Sequence, residues 1–281
     1  MTKTLLLLLL SPFLAHGQKN TYQIYNSKEK VVKYSKLLKQ AKEADVILFG
    51  EFHDNPIIHW LQLELTTDIY ETDSNFVLGA EMMESDDQLI IDEYLANYYN
   101  AKKLISESKT WPNFETDYLP LLEFAKANKL EFIATNIPRR YASMVYSFGV
   151  DTLMNLSKQA KSLIAPLPIK IDTTLASYQE MLAMGMGHGG ANLPKSQAIK
   201  DATMAHFISQ NIPDTGKFIH YHGAFHSKNY EGIYWYLNDL NPGLKILTIG
   251  CEEQENISEL NETHDKADFI IVTPTNMTKT H

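Results

Sequence analysis

Cysteine is nearly absent: the 281 residues contain one, Cys251. No internal disulfide can form, and zinc sites built from several thiolates are excluded. Positive charge is scarce as well. Lys and Arg number 25 against 34 Asp and Glu, the net charge is −9, and no basic block occurs. That balance argues against nucleic acid and anionic membrane surfaces as partners. After the first residues no apolar run is long enough for a transmembrane segment. Repeats and low-complexity linkers are also missing. Packing alone must therefore hold the fold together. Aromatic residues are plentiful instead, with 15 Tyr, 12 Phe and 3 Trp beside 10 His and 10 Met. Most of these rings serve the core, but such a set also suits a flat apolar ligand.

The amino-terminal stretch reads as a secretory signal over residues 1–17. Lys3 precedes the run Leu5 to Leu10, and Ala15-His16-Gly17 supplies small residues at a cleavage point. The mature chain is expected to be exported, periplasmic or cell-surface associated, and soluble. No Cys lies at the cleavage point to carry a lipid. Residues 18–272 are expected to form a single domain, with helical insertions at about 85–115 and 150–193. Residues 273–281 are polar and expected to be disordered.

Val46 to Phe49 form an apolar run too short for a helix, stopped by Gly50 and followed at once by Glu51 and His53. Asn55 and Pro56 suit a helix N-cap and first helical position. The pattern of buried strand, polar turn and helix recurs. Strands are expected at about 45–50, 76–82, 130–135, 217–222, 245–249 and 267–272. Helices are expected at 28–43, from Pro56 to Tyr70, at 85–108, 117–128, from Pro138, at 152–163, 174–184 and 194–210, and after an N-cap at Ser227. Residues 18–27 read as a polar lead-in. Alternating strands and helices predict an α/β fold, with a mostly parallel central sheet covered by helices on both faces.

Four of these strands end in ionisable or polar residues: Glu51 and His53; Glu81; Asn136 and Arg139; His222 and His226. A parallel sheet puts all carboxyl ends on one side, where ligands bind in open α/β folds. A shared cleft is the expectation. The plainer reading of Glu81 is a buried acid paired with Arg139 or Arg140. On the helix at 194–210, Gln197, Asp201 and Met204 share one face and are expected to point into the cleft; otherwise they form a solvated stripe. The turns Gly50-Glu51-Phe52-His53 and Gly223-Ala224-Phe225-His226 share one form, each Gly allowing a sharp turn.

Taken together, several motifs resemble the ChaN family of bacterial haem-binding proteins. They are Leu48 to Pro56, Glu81, Asn136-Ile137-Pro138-Arg139, Met186-Gly187-His188, Gln197 to Ala205 and Gly223 to His226. That family belongs to a wider group with the Tiki metalloproteases and the erythromycin esterases. The resemblance spans residues 45–250. It implies a polar pocket at the strand ends and a role in haem or iron acquisition. A homodimer and an outer-membrane haem uptake system are the partners it suggests. Many members are lipoproteins, and this chain departs from them in lacking the lipidation Cys.

Two chemistries fit these residues. Haem needs an apolar slot, an axial ligand and donors for its propionates. Candidate ligands or propionate partners are Tyr141, Tyr178, Tyr221, His188 and Met186, the last two in a sulfur-rich loop that otherwise reads as a mobile lid. Alternatively, Glu51, His53, Glu81 and His226 hold a divalent metal for hydrolysis, with Arg139 binding an oxyanion. A metal-free version uses His53 or His226 as a base on water. Some other small ligand is a third reading.

Overall fold

The computed structural model describes residues 20–184 and 190–280. Residues 1–17, expected to be a signal, and Met186 and His188 lie outside the described residues. In chain order the elements are β1 (Gln23–Asn26), β2 (Val31–Val32), α1 (Tyr34–Glu43), β3 (Val46–Glu51), α2 (Pro56–Tyr70), β4 (Phe76–Glu84), α3 (Gln88–Leu95) and α4 (Ala101–Glu107). Then come α5 (Leu119–Asn128), β5 (Phe132–Asn136), α6 (Arg139–Phe148), α7 (Lys158–Lys161), α8 (Ala176–Met184), α9 (Leu193–Asn211), β6 (Lys217–Gly223), α10 (Ile233–Leu240), β7 (Ile246–Gln254) and β8 (Phe269–Pro274).

The strands form one sheet in the order β2-β1-β8-β7-β3-β6-β4-β5. From β8 to β5 every neighbouring pair is parallel. Only β1 runs against its neighbours. The expected α/β architecture is therefore the one observed. β3 shows why helices cover both faces. Its residues alternate, with Ile47 and Phe49 packing beneath α2 and α5, while Val46 and Leu48 pack beneath α6, α9 and α10.

Local chemistry accounts for the main boundaries. Asn55 caps α2, its Oδ1 accepting from the Ile57 and Ile58 amides at 3.2 and 3.1 Å. Asn55 Nδ2 also donates to Glu253 Oε1 and Thr273 Oγ1, each at 2.8 Å, tying the turn after β3 to β7 and β8. Edge strand β5 is closed by a side chain. Gln88 donates to Phe132 O at 2.9 Å and accepts from Ala134 N at 2.7 Å, standing in for a missing strand.

Several expectations need correction. The lead-in contains β1, whose Ile24 and Tyr25 are buried, and the first helix starts only at Tyr34. The insertion at 85–108 is two short helices, broken where Asn97 takes a positive φ. Residues 152–163 hold a 3-10 turn and one turn of helix, because Leu156-Ser157 is extended between them. Ser227 caps no helix; α10 starts at Ile233 after Gly232. The terminal stretch is not loose: Thr273 and Pro274 belong to β8, Lys279 pairs with Asp54 and Glu253, and Thr280 Oγ1 donates to Asp117 Oδ2 at 2.8 Å.

Candidate functional site at the carboxyl edge of the sheet

β3, β6 and β4 lie side by side, so the turns after them meet. The two Gly-x-x-His turns interlock. A Cβ on Gly223 would sit 2.9 Å from the His53 ring, and one on Gly50 would sit 2.9 Å from Ala224 Cα. Neither glycine takes a positive φ. Their role is close approach of the two segments, not the sharp turn expected from the motif.

His53 is held by a carboxylate. Its Nδ1 donates to Glu51 Oε1 at 2.9 Å. Glu51 is buried and also accepts from Tyr118 Oη and Gln62 Nε2, both at 2.7 Å. Trp111 stacks edge-on against the imidazole at 4.6 Å between centroids, and Asn113 Nδ2 donates to His53 O at 2.7 Å. Burial lowers the His53 pKa, but the Glu51 hydrogen bond and the Glu81 charge outweigh it and raise the value. Among the described residues no hydrogen bond engages Nε2, and 37% of the side chain is exposed.

His226 sits deeper, between two acids. Nε2 lies 3.0 Å from Glu81 Oε1 and Nδ1 lies 2.5 Å from Asp201 Oδ1. The Gln197 amide nitrogen is 2.9 Å from Nδ1. Desolvation works against the imidazolium, yet the two carboxylates prevail and push the His226 pKa up to about 9. Glu81 loses by burial but is pulled well below the usual carboxylate range by His226, His53 and the Gly223 amide, which donates to it at 2.8 Å. Burial pushes Asp201 the other way, upward, with Tyr178 Oη donating to it at 2.8 Å. His226 is therefore a buried imidazolium whose partner is chiefly Glu81.

The shared rim predicted for the strand ends brings together Glu51, His53, Glu81, Gln197, Asp201 and His226. Asn136 braces it, donating from Nδ2 to Glu81 O at 3.0 Å, while its Oδ1 is buried without a partner. Gln197, Asp201 and Met204 are all buried, so that face of α9 is no solvated stripe. His222 is set back: it bonds Ser227 Oγ at 2.8 Å and stacks on His220, and burial lowers its pKa to about 3. Arg139 pairs with neither Glu81 nor any other acid closely. Its side chain is 75% exposed, 3.9 Å from Glu84, and Arg140 pairs with Asp86.

The tyrosines expected as ligands lie elsewhere. Tyr178 is spent on Asp201. Tyr221 is buried on the α2 face against Thr66 Oγ1. Tyr141 is buried under Arg140. Trp111, Asn113, Gln62 and Tyr118 were not singled out by sequence. Gln62 sits on α2, Tyr118 in a π-helical turn, Phe114–Tyr118, and Trp111 and Asn113 in the segment just before that turn; spacing alone gives no sign that these segments reach Glu51 or His53.

A groove of about 790 Å³ opens beside this cluster. Glu84, Lys109, Trp111, Pro112, Arg139, Arg140 and Ser143 line it. Lys109 Nζ contacts Glu84 at 3.1 Å and Asp86 at 2.9 Å. The groove thus combines an apolar wall with three cations and one acid, Glu84. Those features fit the propionates and ring edge of a porphyrin. They do not fit a divalent metal. Among the described residues no group of three His, Cys, Asp or Glu is arranged to hold one. Both His226 nitrogens face carboxylates, and Glu51 is already occupied by three donors.

The fold and rim define an α/β protein with a polar pocket at the carboxyl ends of parallel strands. The sequence profile of the family described as haem-binding uptake, Tiki superfamily, ChaN matches residues 37–237. The chain belongs to this family of haem-binding proteins. Among solved structures it is similar to ChaN of Campylobacter jejuni, described with cofacial haem binding. Identity is 18%, coverage is 90% of this chain and 96% of that one, and the TM-score is 0.67. A Bacillus cereus protein shares 11% identity over 85% of this chain and 90% of its own, with a TM-score of 0.53. An erythromycin esterase shares 12% over 90% and 83%, with a TM-score of 0.49. At such identities the likeness is one of fold. No curated protein sequence matches the chain.

Proposed function

We propose that this protein binds haem in the strand-end groove and takes part in haem or iron acquisition after export. Membership of the ChaN family carries this reading. The groove supports it: Trp111 and Pro112 offer an apolar wall, and Arg139 is a guanidinium with only a 3.9 Å acid contact. Arg139, Arg140 and Lys109 would hold the propionates, and bound haem would supply the iron chemistry. Export rests on the signal-like residues 1–17, and among the described residues no helix is long and apolar enough to cross a membrane. A homodimer and an uptake system in the outer membrane are partners in keeping with this role. Haemin titration of the purified protein should give a saturable Soret shift. Arg139→Glu with Arg140→Glu should weaken it by roughly tenfold or more, two charge-assisted contacts being lost. An unchanged spectrum with wild-type protein would rule the reading out.

A second reading is metal-free hydrolysis, favoured by one observation. His53 is fixed through Nδ1 by Glu51 and keeps Nε2 open, the arrangement of a general base on water. Turnover of ester or amide substrates, abolished in His53→Ala and present without haem, would support it.

A further inference from the structure

We propose that the amino edge of the sheet, opposite the rim, is a docking face for an anionic lipid surface. Six lysines of residues 28–42 form it together with Lys245. The face is independent of what the groove binds. The overall charge of −9 argues against such a partner, but it conceals a local excess. Within residues 28–42, Lys28, Lys30, Lys33, Lys36, Lys39 and Lys42 stand against one acid, Glu29. The fold gathers them. Asn26 Oδ1 accepts from the Lys28 and Lys30 amides at 3.0 and 3.1 Å and fixes the turn between β1 and β2. Lys33, the N-cap of α1, then follows one stripe with Lys36 and Lys39, while Leu37 and Ala41 are buried beneath.

Topology places the face. Asn26, at the end of β1, pairs with Phe269, the first residue of β8. α1 closes at Glu43, just before β3 begins at Val46, and Lys245 immediately precedes β7. The Lys245 carbonyl accepts from the Val46 amide at 3.2 Å, joining these two points. All of them lie at the amino ends of the parallel strands. Glu51, at the other end of β3, belongs to the rim, and the strand between spans about 20 Å. A protein held by this edge would turn its rim away from the bilayer.

The lysines of this edge are unpaired. Elsewhere Lys103, Lys217 and Lys228 form ion pairs with Glu107, Asp73 and Glu180. Among the described residues no carboxylate pairs with Lys245 or with any of the six lysines of residues 28–42. The acids on the same segments do not cancel them. Glu29 is 3.8 Å from His264, Asp45 accepts the Lys245 amide at 2.8 Å, and Glu43 stands at the end of α1. The kind of charge chooses the partner. Every cation here is a lysine, a flexible point charge without the planar fork with which arginine grips a single phosphate or carboxylate. Such a spread of point charges fits a diffuse layer of phosphate head groups, where each lysine near the surface strengthens attachment by about fivefold. Val31, 55% exposed between Lys30 and Lys33, adds an apolar side chain to the same edge.

Vesicle flotation tests the face. Protein lacking residues 1–17 keeps every described element and removes the run Leu5 to Leu10 as a competing anchor. It should bind vesicles of phosphatidylcholine containing a quarter of phosphatidylglycerol, ignore vesicles of phosphatidylcholine alone, and detach as salt is raised. Lys33→Gln with Lys36→Gln and Lys39→Gln should weaken binding roughly a hundredfold. The same three residues changed to Arg should keep it. So should Lys102→Gln with Lys103→Gln and Lys158→Gln, which lie on α4 and α7. Circular dichroism confirms that each variant is folded. Equal binding to neutral vesicles, none to anionic ones, or full binding by the triple Gln variant of α1 would overturn the proposal. So would double-stranded DNA bound more tightly than the anionic vesicles, which would make the partner a nucleic acid.

Discussion

At the scale of single residues, the molecule is governed by its buried histidines. His226 holds its proton between two acids, while His220 and His222 are kept neutral, burial lowering both, His222 to about 3. The signs oppose. The raised pKa of His226 contributes stability that is full below pH 6.5 and is lost as pH rises toward about 9. The lowered values of His220 and His222 contribute stability above pH 6.5 that is lost on acidification. Thermal melting should therefore peak near pH 6.5. His226→Gln should flatten the alkaline limb and His222→Asn the acid limb, and calorimetry at several pH values checks both. His226→Ala leaves two acids buried without a cation and should cost roughly 3–5 kcal/mol in urea unfolding. Sequence showed Glu81, Asp201 and His226 as candidates because each sits at a strand end or on a helix face. It hid their pairing, because Arg139 looked the better partner for Glu81 until α6 carried it outward.

At the scale of elements, strands ending in charge were the legible part. β3, β4, β5 and β6 fall within a few residues of expectation because each is a short apolar run closed by polar residues. β1 was missed: Gln23-Ile24-Tyr25-Asn26 looks like a loop until β8, near the other end of the chain, pairs with it. The insertions were hardest, since their order comes from tertiary contacts such as Asn113 to His53 and not from periodicity. Two outcomes belong at this scale. Gln88→Ala should expose the backbone edge of β5, and light scattering should show concentration-dependent association absent from the parent protein. Trp111→Ala removes the ring against His53, and proton exchange at the His53 imidazole should quicken in NMR spectra with little change in fold.

At the scale of the whole molecule, the sheet order decides where function sits. Six parallel strands put every acid and imidazole of the rim on one side, which sequence anticipated from alternation alone. If haem fills the groove, excess ligand must stabilise the folded form. Haemin at about a hundred times its dissociation constant should add about 2.7 kcal/mol, read as a rise in melting temperature. The Arg139→Glu, Arg140→Glu variant should show less of that rise.

The placement of β6 between β3 and β4 has a consequence for biosynthesis. Glu51 and Glu81 emerge early from the ribosome, yet the strand that separates and joins them is made well over a hundred residues later. A nascent polypeptide cannot assemble the rim prematurely, because Glu51 and Glu81 are not brought side by side until the central strand slots home.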